Sequence, residues 1–592
     1  MIAATTFVVL AISILFLAVA GGGLFPVTVV IIALPLCALA CMTTRARPSR
    51  PWLELILAAI LLFVLFTALP IPPALDPLAG ALRHGQNQAV LNALYEAGQI
   101  GIPLPESEPW FSLTRNRAGT LRFFLLLAAA FGAALLTASL PPAWKMGFLY
   151  FLALTGTAMG IAGYLGQWII PQGDTLWWFI PLPHAVTSPV GCFLNRNHFG
   201  GFVAMLSPVA LALAAYALDR RRGFTALFSL ALTGIMMAAV FYSLSRGAML
   251  AMGAGLSVTA LVIAFRHRAV WGILLLCLML AGGTALLAHS PAVRERLQGI
   301  HNPGEISSVQ SRLAEWRESL RVWPCYPVLG AGMNALRMVY PQTRQTSVSA
   351  RLIASENEYI QLLVEGGLVG VGLFLALTWA VRHRIRDTSA QTGVIGLAVT
   401  GALTVTGVHC LFDFPAHLPL YALVIGSLAG LLLSSKVDRD LRARSDAARR
   451  SASTSGYLIA ILPGAIGLIG TLVILLTQPQ QLGNLDNPAY LYTAKYRELH
   501  RALIWAPTSP AWLYLGRAMF KEGVNREARD LCTQGETLMT RAVQLDPQNY
   551  RLWFELGQVR LSLGDNARAT EAFLRAKALR AWMTPPPIPG KN

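Results

Sequence analysis

Long apolar stretches recur along the whole chain and are separated by short polar segments that carry most of the arginines. Each stretch is close to the roughly 20 residues that an α-helix needs to cross the hydrocarbon core of a bilayer. The pattern predicts about thirteen transmembrane helices, at 3–20, 25–42, 52–69, 123–140, 146–164, 202–218, 224–242, 248–265, 270–288, 360–381, 393–411, 418–434 and 457–478. We therefore expect an all-α fold, a polytopic helical membrane protein.

The composition agrees with a membrane environment. Of the 592 residues, 55% are apolar and 13% are charged, and the mean hydropathy is +0.54. The formal charge of +18 would suit nucleic acid, but the cations lie mainly in short loops and no basic run is interleaved with aromatic residues. We predict a lipid bilayer and no nucleic acid as partner. The seven cysteines show no metal-ligand spacing, so neither a metal nor another cofactor is expected.

The distribution of cations predicts the orientation of the spans. Lysine and arginine are enriched in the cytoplasmic loops of membrane proteins. With a cytoplasmic N-terminus, the basic loops that fall on the cytoplasmic side are those at 45–50, 145, 220–222, 266–268, 382–386 and 436–450. Every long polar segment, and the C-terminus, then lies outside.

The longest polar interval between apolar spans covers residues 289–357. Arg312, Trp316 and Arg317 have helical spacing, so the arginines are expected near one another on one side of a short helix that Trp316 anchors. A turn rich in Pro and Gly follows, and the string SENE at 355–358 stands directly before the next span. A polar segment of this size in a membrane protein is more typical of chemistry than of packing, so we expect the reaction here.

Several arginines lie on the side of the membrane that the charge rule disfavours. They are Arg115, Arg117, Arg122, Arg196, Arg246 and the arginines of the 289–357 interval. An anionic ligand explains such cations most economically, because arginine binds phosphate through paired donors. The alternative is that some of them snorkel to the interface or pair with nearby carboxylates.

Glu356 is the candidate general base. Burial near the apolar boundary would raise the pKa of its carboxyl group and let it take a proton from a hydroxyl. Equally, a carboxylate at the start of a helix is favoured by the helix dipole, which would make Glu356 a cap. His198 and Asp413 are the next candidates, although a structural hydrogen bond is the better expectation for Asp413. Phosphate-binding Gly-rich loops and nucleophile elbows are not found.

After the last span the composition becomes that of a soluble helical domain. Its helical spacing is that of one tetratricopeptide repeat, preceded by a partial one. The matching residues are Trp553, Leu556, Gly557, Ala569, Phe573 and Ala576, and in the earlier unit Trp512, Leu515, Gly516 and Ala528. Residues 487–504 are expected to add capping helices. Such a module binds a protein partner or organises oligomers, and we do not expect it to be catalytic.

Five strings occur in fixed order along the chain: GCFLNRNHFGGFVAM, YSLSRGAMLAM, SRLAEWRESLRVWPCYPVLGAGMNAL, ENEYIQLLVEGGLVGVGLF and HCLFDFPAHLPLYA. With the spans between them, over roughly residues 110–433, they resemble the O-antigen ligase/polymerase superfamily, some bacterial members of which carry C-terminal tetratricopeptide repeats. The resemblance implies a metal-independent, inverting glycosyltransferase of the membrane C-type class. It would take a glycan from an undecaprenyl-pyrophosphate donor at the periplasmic face of the bacterial inner membrane.

The resemblance also implies roles for single residues. Arg246 of the SRG turn and Arg312 match family arginines that hold the pyrophosphate, and Arg196 is expected to join them. The family's ligases usually have a histidine where this chain has Glu356. Either Glu356 takes over as base or the usual assignment does not hold here. The expected supporting residues are His198, Asn357, Trp316 and Asp413.

Four regions follow from these features. They are N-terminal spans and a first periplasmic loop at 1–118, a catalytic membrane core at 119–435, a basic loop with the last span at 436–480, and a periplasmic repeat-like domain at 481–592. Ligases, polymerases and protein O-oligosaccharyltransferases share this donor and differ in the acceptor, which is a glycan, a lipid or a protein. The alternative is a non-catalytic carrier of lipid-linked glycan, or a scaffold of a polysaccharide assembly complex. Transporters tend to show internal repeats and polar residues distributed through their spans, and we find neither.

Overall fold

The computed structural model describes residues 2–19, 26–43, 52–72, 81–99, 110–169, 175–176, 180–181, 193–267, 303–345, 354–433, 462–471 and 496–580. The predicted span at 270–288, residues 289–302, the basic loop at 436–450 and residues 481–495 lie outside this part of the chain. The elements of the first half are α1 (Ile2–Val19), α2 (Pro26–Thr43), α3 (Trp52–Ala68), α4 (Ala81–Gln99), α5 (Arg117–Ser139), α6 (Pro142–Ile169), a short antiparallel pair β1 (Thr175–Leu176) and β2 (Ile180–Pro181), α7 (Arg196–Asp219), α8 (Gly223–Tyr242) and α9 (Arg246–His267).

In the second half the regular elements of the described residues are helices joined by turns. Its helices are α10 (Pro303–Leu320), α11 (Leu336–Thr343), α12 (Glu358–Thr392), α13 (Val394–His409), α14 (Pro419–Leu433), α15 (Leu462–Thr471), α16 (Tyr496–Trp505), α17 (Ser509–Asn525), α18 (Arg529–Leu545), α19 (Tyr550–Ser562) and α20 (Asn566–Leu579). Single 3-10 turns lie at Trp323–Cys325 and Pro415–His417.

Six of these helices are long and apolar enough to cross a membrane, namely α5, α6, α7, α8, α9 and α12. Shorter apolar helices lie at five further predicted spans (α1, α3, α13, α14 and α15), and α2 lies at another. By length and composition these helices are consistent with a polytopic membrane protein. The total of about thirteen crossings stays a prediction.

Close packing organises the bundle around α5 and α7. α7 is the most buried of the six long helices and contacts α6, α8, α9 and α13. Against α5, α14 presents Gly426 and Gly430, where a Cβ atom would overlap the carbonyl oxygens of Ala130 and Ala134. Small residues four apart are how helices approach closely in lipid. These glycines therefore let α14 lie closely against α5.

The helix α12 is broken at Gly367, which has a φ of 61° inside an otherwise apolar run. The segment 327–332 fills the break through main-chain hydrogen bonds. The N–H groups of Ala331 and Gly332 donate to the carbonyls of Val364 and Glu365, both at 2.9 Å, and those of Leu368 and Val369 donate to the carbonyls of Pro327 and Val328 at 3.0 and 3.1 Å. The Pro- and Gly-rich turn is therefore fastened to the span itself, since the bonds that the break removes are supplied by the turn.

Residues at the start of α5 hydrogen-bond to Met333 and Asn334, directly after this turn. Asn116 caps α5, and its Nδ2 donates to the carbonyl of Asn334 at 2.7 Å, while Thr120 Oγ1 donates to Met333 at 2.8 Å. Arg115 is buried, and its Nη1 donates to Asn87 Oδ1 at 2.9 Å. This buried cation therefore has a polar partner within the fold.

The C-terminal helices form two antiparallel hairpins, α17 with α18 and α19 with α20. Gly516 faces Gly535 in the first, and Gly557 lies under the ring of Phe573 in the second. The unit docks on α4 and α11, where Arg344 Nη2 lies 2.6 Å from Asp546 Oδ1 and α11 is also joined to α4 by Gln86 Nε2 donating to Gln342 Oε1 at 2.8 Å. Its assignment as tetratricopeptide repeats stays a prediction.

Candidate functional site

The predicted site residues lie at one end of the bundle, where α7, α9, α12 and α14 begin and α8 and α13 end. Tyr421 of α14 donates its hydroxyl hydrogen to the carbonyl of His198 in α7 at 2.6 Å. The N–H of Glu358, the first residue of α12, donates to the carbonyl of Cys410 just after α13 at 2.9 Å. The ends of these helices therefore meet around the turn 410–418.

Asn357 is the cap of α12. Its Oδ1 accepts hydrogen bonds from the N–H groups of Tyr359 and Ile360 at 3.0 and 3.1 Å, and its Nδ2 donates to the carbonyl of Leu411 at 3.2 Å. This bonding satisfies two of the N–H groups that a helix start leaves open. Asn357 therefore supplies the capping hydrogen bonds at the start of α12.

The Glu356 carboxylate instead meets Arg312 of α10. Arg312 Nη2 lies 3.5 Å from Glu356 Oε2, and Arg312 Nη1 donates to the carbonyl of Phe412 at 3.1 Å. The two side chains keep 34% and 27% of their surface exposed. The pair is long and partly open to solvent, which leaves donors of the guanidinium accessible to an anion.

Glu356 has an uncommon backbone conformation and a raised side-chain pKa. Its φ of 52° is in the left-handed region, which side-chain-bearing residues seldom adopt. Burial raises the pKa of Glu356 to about 7; Asp413 and Glu315 also raise it, while Arg312 and His198 lower it. A carboxylate with this pKa matches what general-base catalysis near neutral pH requires.

Asp413 lies at the bottom of the site between two histidines. Its Oδ1 accepts from the N–H of Phe414 at 2.8 Å and lies 3.1 Å from His198 Nε2, and its Oδ2 lies 3.7 Å from His409 Nε2. Burial alone would raise the pKa of Asp413, but His198, His409 and the Phe414 N–H outweigh it and hold the pKa below its usual value. Asp413 is therefore a buried anion that orients His198.

Arg196 and Arg246 are the first residues of α7 and α9. Gly247, next to Arg246, lies against Phe412, the residue whose carbonyl binds Arg312. Arg196 stands two residues before His198 in the same helical turn. The structure thus gathers the starts of the arginine-bearing helices α7 and α9 around the turn that Arg312 contacts.

The other arginine of α10 is not part of this site. Arg317 follows Arg312 by five residues, roughly 140° around the helix, and is exposed. The expectation that the two arginines lie together was wrong, because a five-residue separation turns them to different sides. Trp316 is partly buried one turn after Arg312, as an anchor would be.

Three further polar residues were missed from the sequence. His417 lies between two carboxylates of α12, with Nδ1 3.1 Å from Glu358 Oε1 and Nε2 3.4 Å from Glu365 Oε2. The available signal was the seven-residue spacing of Glu358 and Glu365, which puts both on one helix face inside an apolar span. A charge in such a place needs a partner.

No group of three or more His, Cys, Asp or Glu side chains in the described part of the chain is arranged to hold a metal ion.

Residues 228–375 match the family model described as O-Antigen ligase. No curated protein gives a significant match to the chain. The matched segment covers about a quarter of the 592 residues and contains Arg246, Arg312 and Glu356. His198 and Asp413 lie outside it. The match supports placing this segment in the O-antigen ligase superfamily, which suggests a membrane protein that transfers glycans.

Proposed function

We propose that the protein is a membrane glycosyltransferase that moves a glycan from an undecaprenyl-pyrophosphate donor to a hydroxyl acceptor. The observation that carries the proposal is the open pair of Arg312 and Glu356, 3.5 Å apart at the end of the bundle. It joins an anion-binding group and a base within the segment that matches the O-antigen ligase model. Ligase, polymerase and protein O-oligosaccharyltransferase remain equally compatible, since they differ in the acceptor.

In this proposal the arginines bind the leaving group. Arg312 turns one face of its guanidinium to the pyrophosphate, with Arg246 and Arg196 contributing from the starts of α9 and α7. The charge that develops on the leaving phosphate is offset by these cations. When Arg312 binds the pyrophosphate of the donor, its weak contact with Glu356 loosens. The carboxylate then becomes a stronger base, because Arg312 is one of the groups that lower the pKa of Glu356.

The chemical step is an inverting displacement. Glu356 takes the proton of the acceptor hydroxyl, and the hydroxyl oxygen forms a bond to the anomeric carbon. The bond between that carbon and the phosphate oxygen breaks, and undecaprenyl pyrophosphate leaves with the electron pair. Glu356 then returns its proton to water. His198, oriented by Asp413 at 3.1 Å, lies beside this path and supports the carboxylate electrostatically.

The remaining features of the proposal concern location. We place the site and the C-terminal helices on the periplasmic side of the bacterial inner membrane. The support is the loop-by-loop cation distribution together with the docking of the C-terminal unit on α11, next to the site. The C-terminal hairpins are proposed to bind a protein partner and to take no part in the chemistry.

The proposal is tested by following both products. Membranes from a strain of the source bacterium that lacks the gene supply donors and acceptors, and purified full-length protein is added. Transfer predicts that undecaprenyl pyrophosphate appears in step with glycan that has left the lipid. A carrier or scaffold would leave the glycan joined to its pyrophosphate, and that result would contradict an enzymatic function.

A further inference from the structure

A buried charged triad lies immediately next to the Glu356 segment. It consists of His417, Glu358 and Glu365, whose side chains are 6%, 13% and 1% exposed. The imidazole stands between the two carboxylates at 3.1 and 3.4 Å, and the ring of Phe123 lies 4.9 Å from its centre. Two carboxylates buried this deeply need a cation to compensate them.

His417 is the cation of the triad. Each of its ring nitrogens lies within ion-pair distance of a carboxylate oxygen, and the imidazolium form carries a hydrogen on both nitrogens, whereas a neutral imidazole carries it on one alone. Burial lowers the pKa of His417, but Glu358 and Glu365 outweigh burial and raise the pKa to about 10. The charge therefore persists throughout the pH range in which a cell lives.

The side chains of the triad also hydrogen-bond to main-chain groups of three segments. Glu365 accepts hydrogen bonds from the N–H groups of Asn334 and Leu336 at 2.8 and 3.0 Å, at the start of α11. Glu358 Oε2 accepts from the N–H of Ala416 at 3.1 Å. α11, the first turns of α12 and the 415–417 turn are thereby held to one another.

The triad lies next to Glu356, a residue with a strained backbone. Glu356 has a left-handed backbone, and such a conformation persists only where the surrounding structure enforces it. On its C-terminal side the N–H of Glu358 donates to the carbonyls of Cys410 and Asp413 at 2.9 and 3.2 Å. His417, by contacting the Glu358 side chain, adds a side-chain contact to these main-chain bonds two residues from the proposed base.

We propose that His417 is a positioning residue of the transfer reaction: as a cation held between Glu358 and Glu365, it fixes the start of α12 and keeps Glu356 beside Arg312. This inference rests on the proposed function, in which Glu356 is the base. His417 itself takes no part in the chemical step. Misplacement of a catalytic group by about 1 Å costs on the order of a hundredfold in rate, and this sets the size of effect that we expect.

The test compares three full-length variants with the wild type. His417→Gln removes the charge, His417→Lys keeps a cation with several donors, and His383→Gln is the control, because His383 lies at the far end of α12 beside Trp379. Binding is measured with undecaprenyl pyrophosphate as the probe, and transfer is measured as its release in membranes that lack the gene. We expect His417→Gln to lose about a hundredfold in transfer rate while binding changes less than about threefold, because the arginines are untouched.

His417→Lys is expected to stay within about tenfold of the wild type, and His383→Gln within about twofold. Wild-type transfer by His417→Gln, or an equal loss in the Gln and Lys variants when both accumulate normally, would overturn the positioning role. If the Gln variant does not accumulate, the Lys variant decides, since its activity supports the role and its inactivity contradicts it. Absence of transfer by the wild type would instead refute the proposed function, so the two failures are distinguishable.

Discussion

Two arginine–carboxylate pairs in this protein differ in distance and in exposure to solvent. Arg312 and Glu356 approach to 3.5 Å, and the two side chains are 34% and 27% exposed. Arg344 and Asp546 approach to 2.6 Å and are 10% and 8% exposed. Both arginines lie in the polar interval 289–357. In each pair the two partners are distant in sequence.

The two pairs differ in what it costs to separate their partners. A buried pair with a short contact is costly to break, because each partner would be left as an unpaired charge. An open, longer pair contributes little to stability and exchanges its partner readily. We therefore propose that the Arg344 pair serves the docking of the C-terminal unit and that the Arg312 pair serves the proposed reaction.

The largest effect is expected at the carboxylate of the open pair. Glu356→Gln keeps the shape of the side chain but cannot accept a proton, so transfer should fall by a factor on the order of 10² to 10⁴. Binding of undecaprenyl pyrophosphate should change little, because Arg312, Arg246 and Arg196 are retained. Glu356→His should recover part of the rate, since imidazole is a competent base. Wild-type transfer by the Gln variant would show that Glu356 is not the base.

The guanidinium of the open pair should have the next largest effect. Arg312→Ala removes both the charge and the paired donors, and transfer should fall about a hundredfold, with weaker binding of undecaprenyl pyrophosphate. Arg312→Lys keeps the charge without the fork geometry and should lose about tenfold.

Arg317→Ala is the matched control for Arg312 because it removes an exposed arginine from the same helix. It should change transfer by less than about twofold. Equal losses at Arg312 and Arg317 would mean that the general positive charge of α10 matters rather than the open pair.

The docking pair should affect stability more than transfer. Arg344→Ala leaves Asp546 buried without this cation and should cost about 3 kcal/mol of docking free energy, seen as faster hydrogen exchange in α11 and α18. The charge swap, Arg344→Asp with Asp546→Arg, should restore part of the protection. Transfer should fall less than about threefold, because the site residues remain in place.

An exposed pair in the same C-terminal unit provides the control for the docking pair. Arg526 Nε lies 2.6 Å from Glu522, but the side chains are 57% and 31% exposed. Arg526→Ala should cost less than about 1 kcal/mol. Similar exchange rates in the Arg344 and Arg526 variants would contradict the assignment of Arg344 to docking.

The sequence predicted the helical class of the membrane region, and Arg312 of its longest polar interval contacts the candidate site. Hydropathy suffices for spans, because a bilayer accepts only long apolar helices or closed barrels. The string SENE was correctly expected at the start of a helix, and Asn357 caps it. These features depend on local pattern and could be derived residue by residue.

What the sequence did not predict depends on long-range contacts. The apolar run around Gly367 has the pattern of one continuous helix, and its break becomes apparent only when segment 327–332 supplies the missing hydrogen bonds. The partners of Glu356 and Glu365 come from α10 and from the turn at His417, which lie 44 and 52 residues away in sequence. For Arg115 the sequence left an anionic ligand and a partner within the protein as alternatives, and its bond to Asn87 depends on the packing of α4. Neither the hydrophobic periodicity nor the distribution of charges along the sequence predicts which of these distant residues contact each other.

The most direct test of the open pair is the pH dependence of transfer at low donor concentration, where kcat/KM reports the protonation of the free enzyme. Since the base must be deprotonated and the pKa of Glu356 is raised to about 7, activity should be lost as pH falls through about 7 and should level off above it. Arg312→Gln removes a group that lowers this pKa, so the midpoint should move to higher pH. A midpoint near 7 that shifts upward in Arg312→Gln is the predicted result. A profile that is flat from about pH 5 to about pH 9, or a midpoint that Arg312→Gln leaves unchanged, would contradict the account.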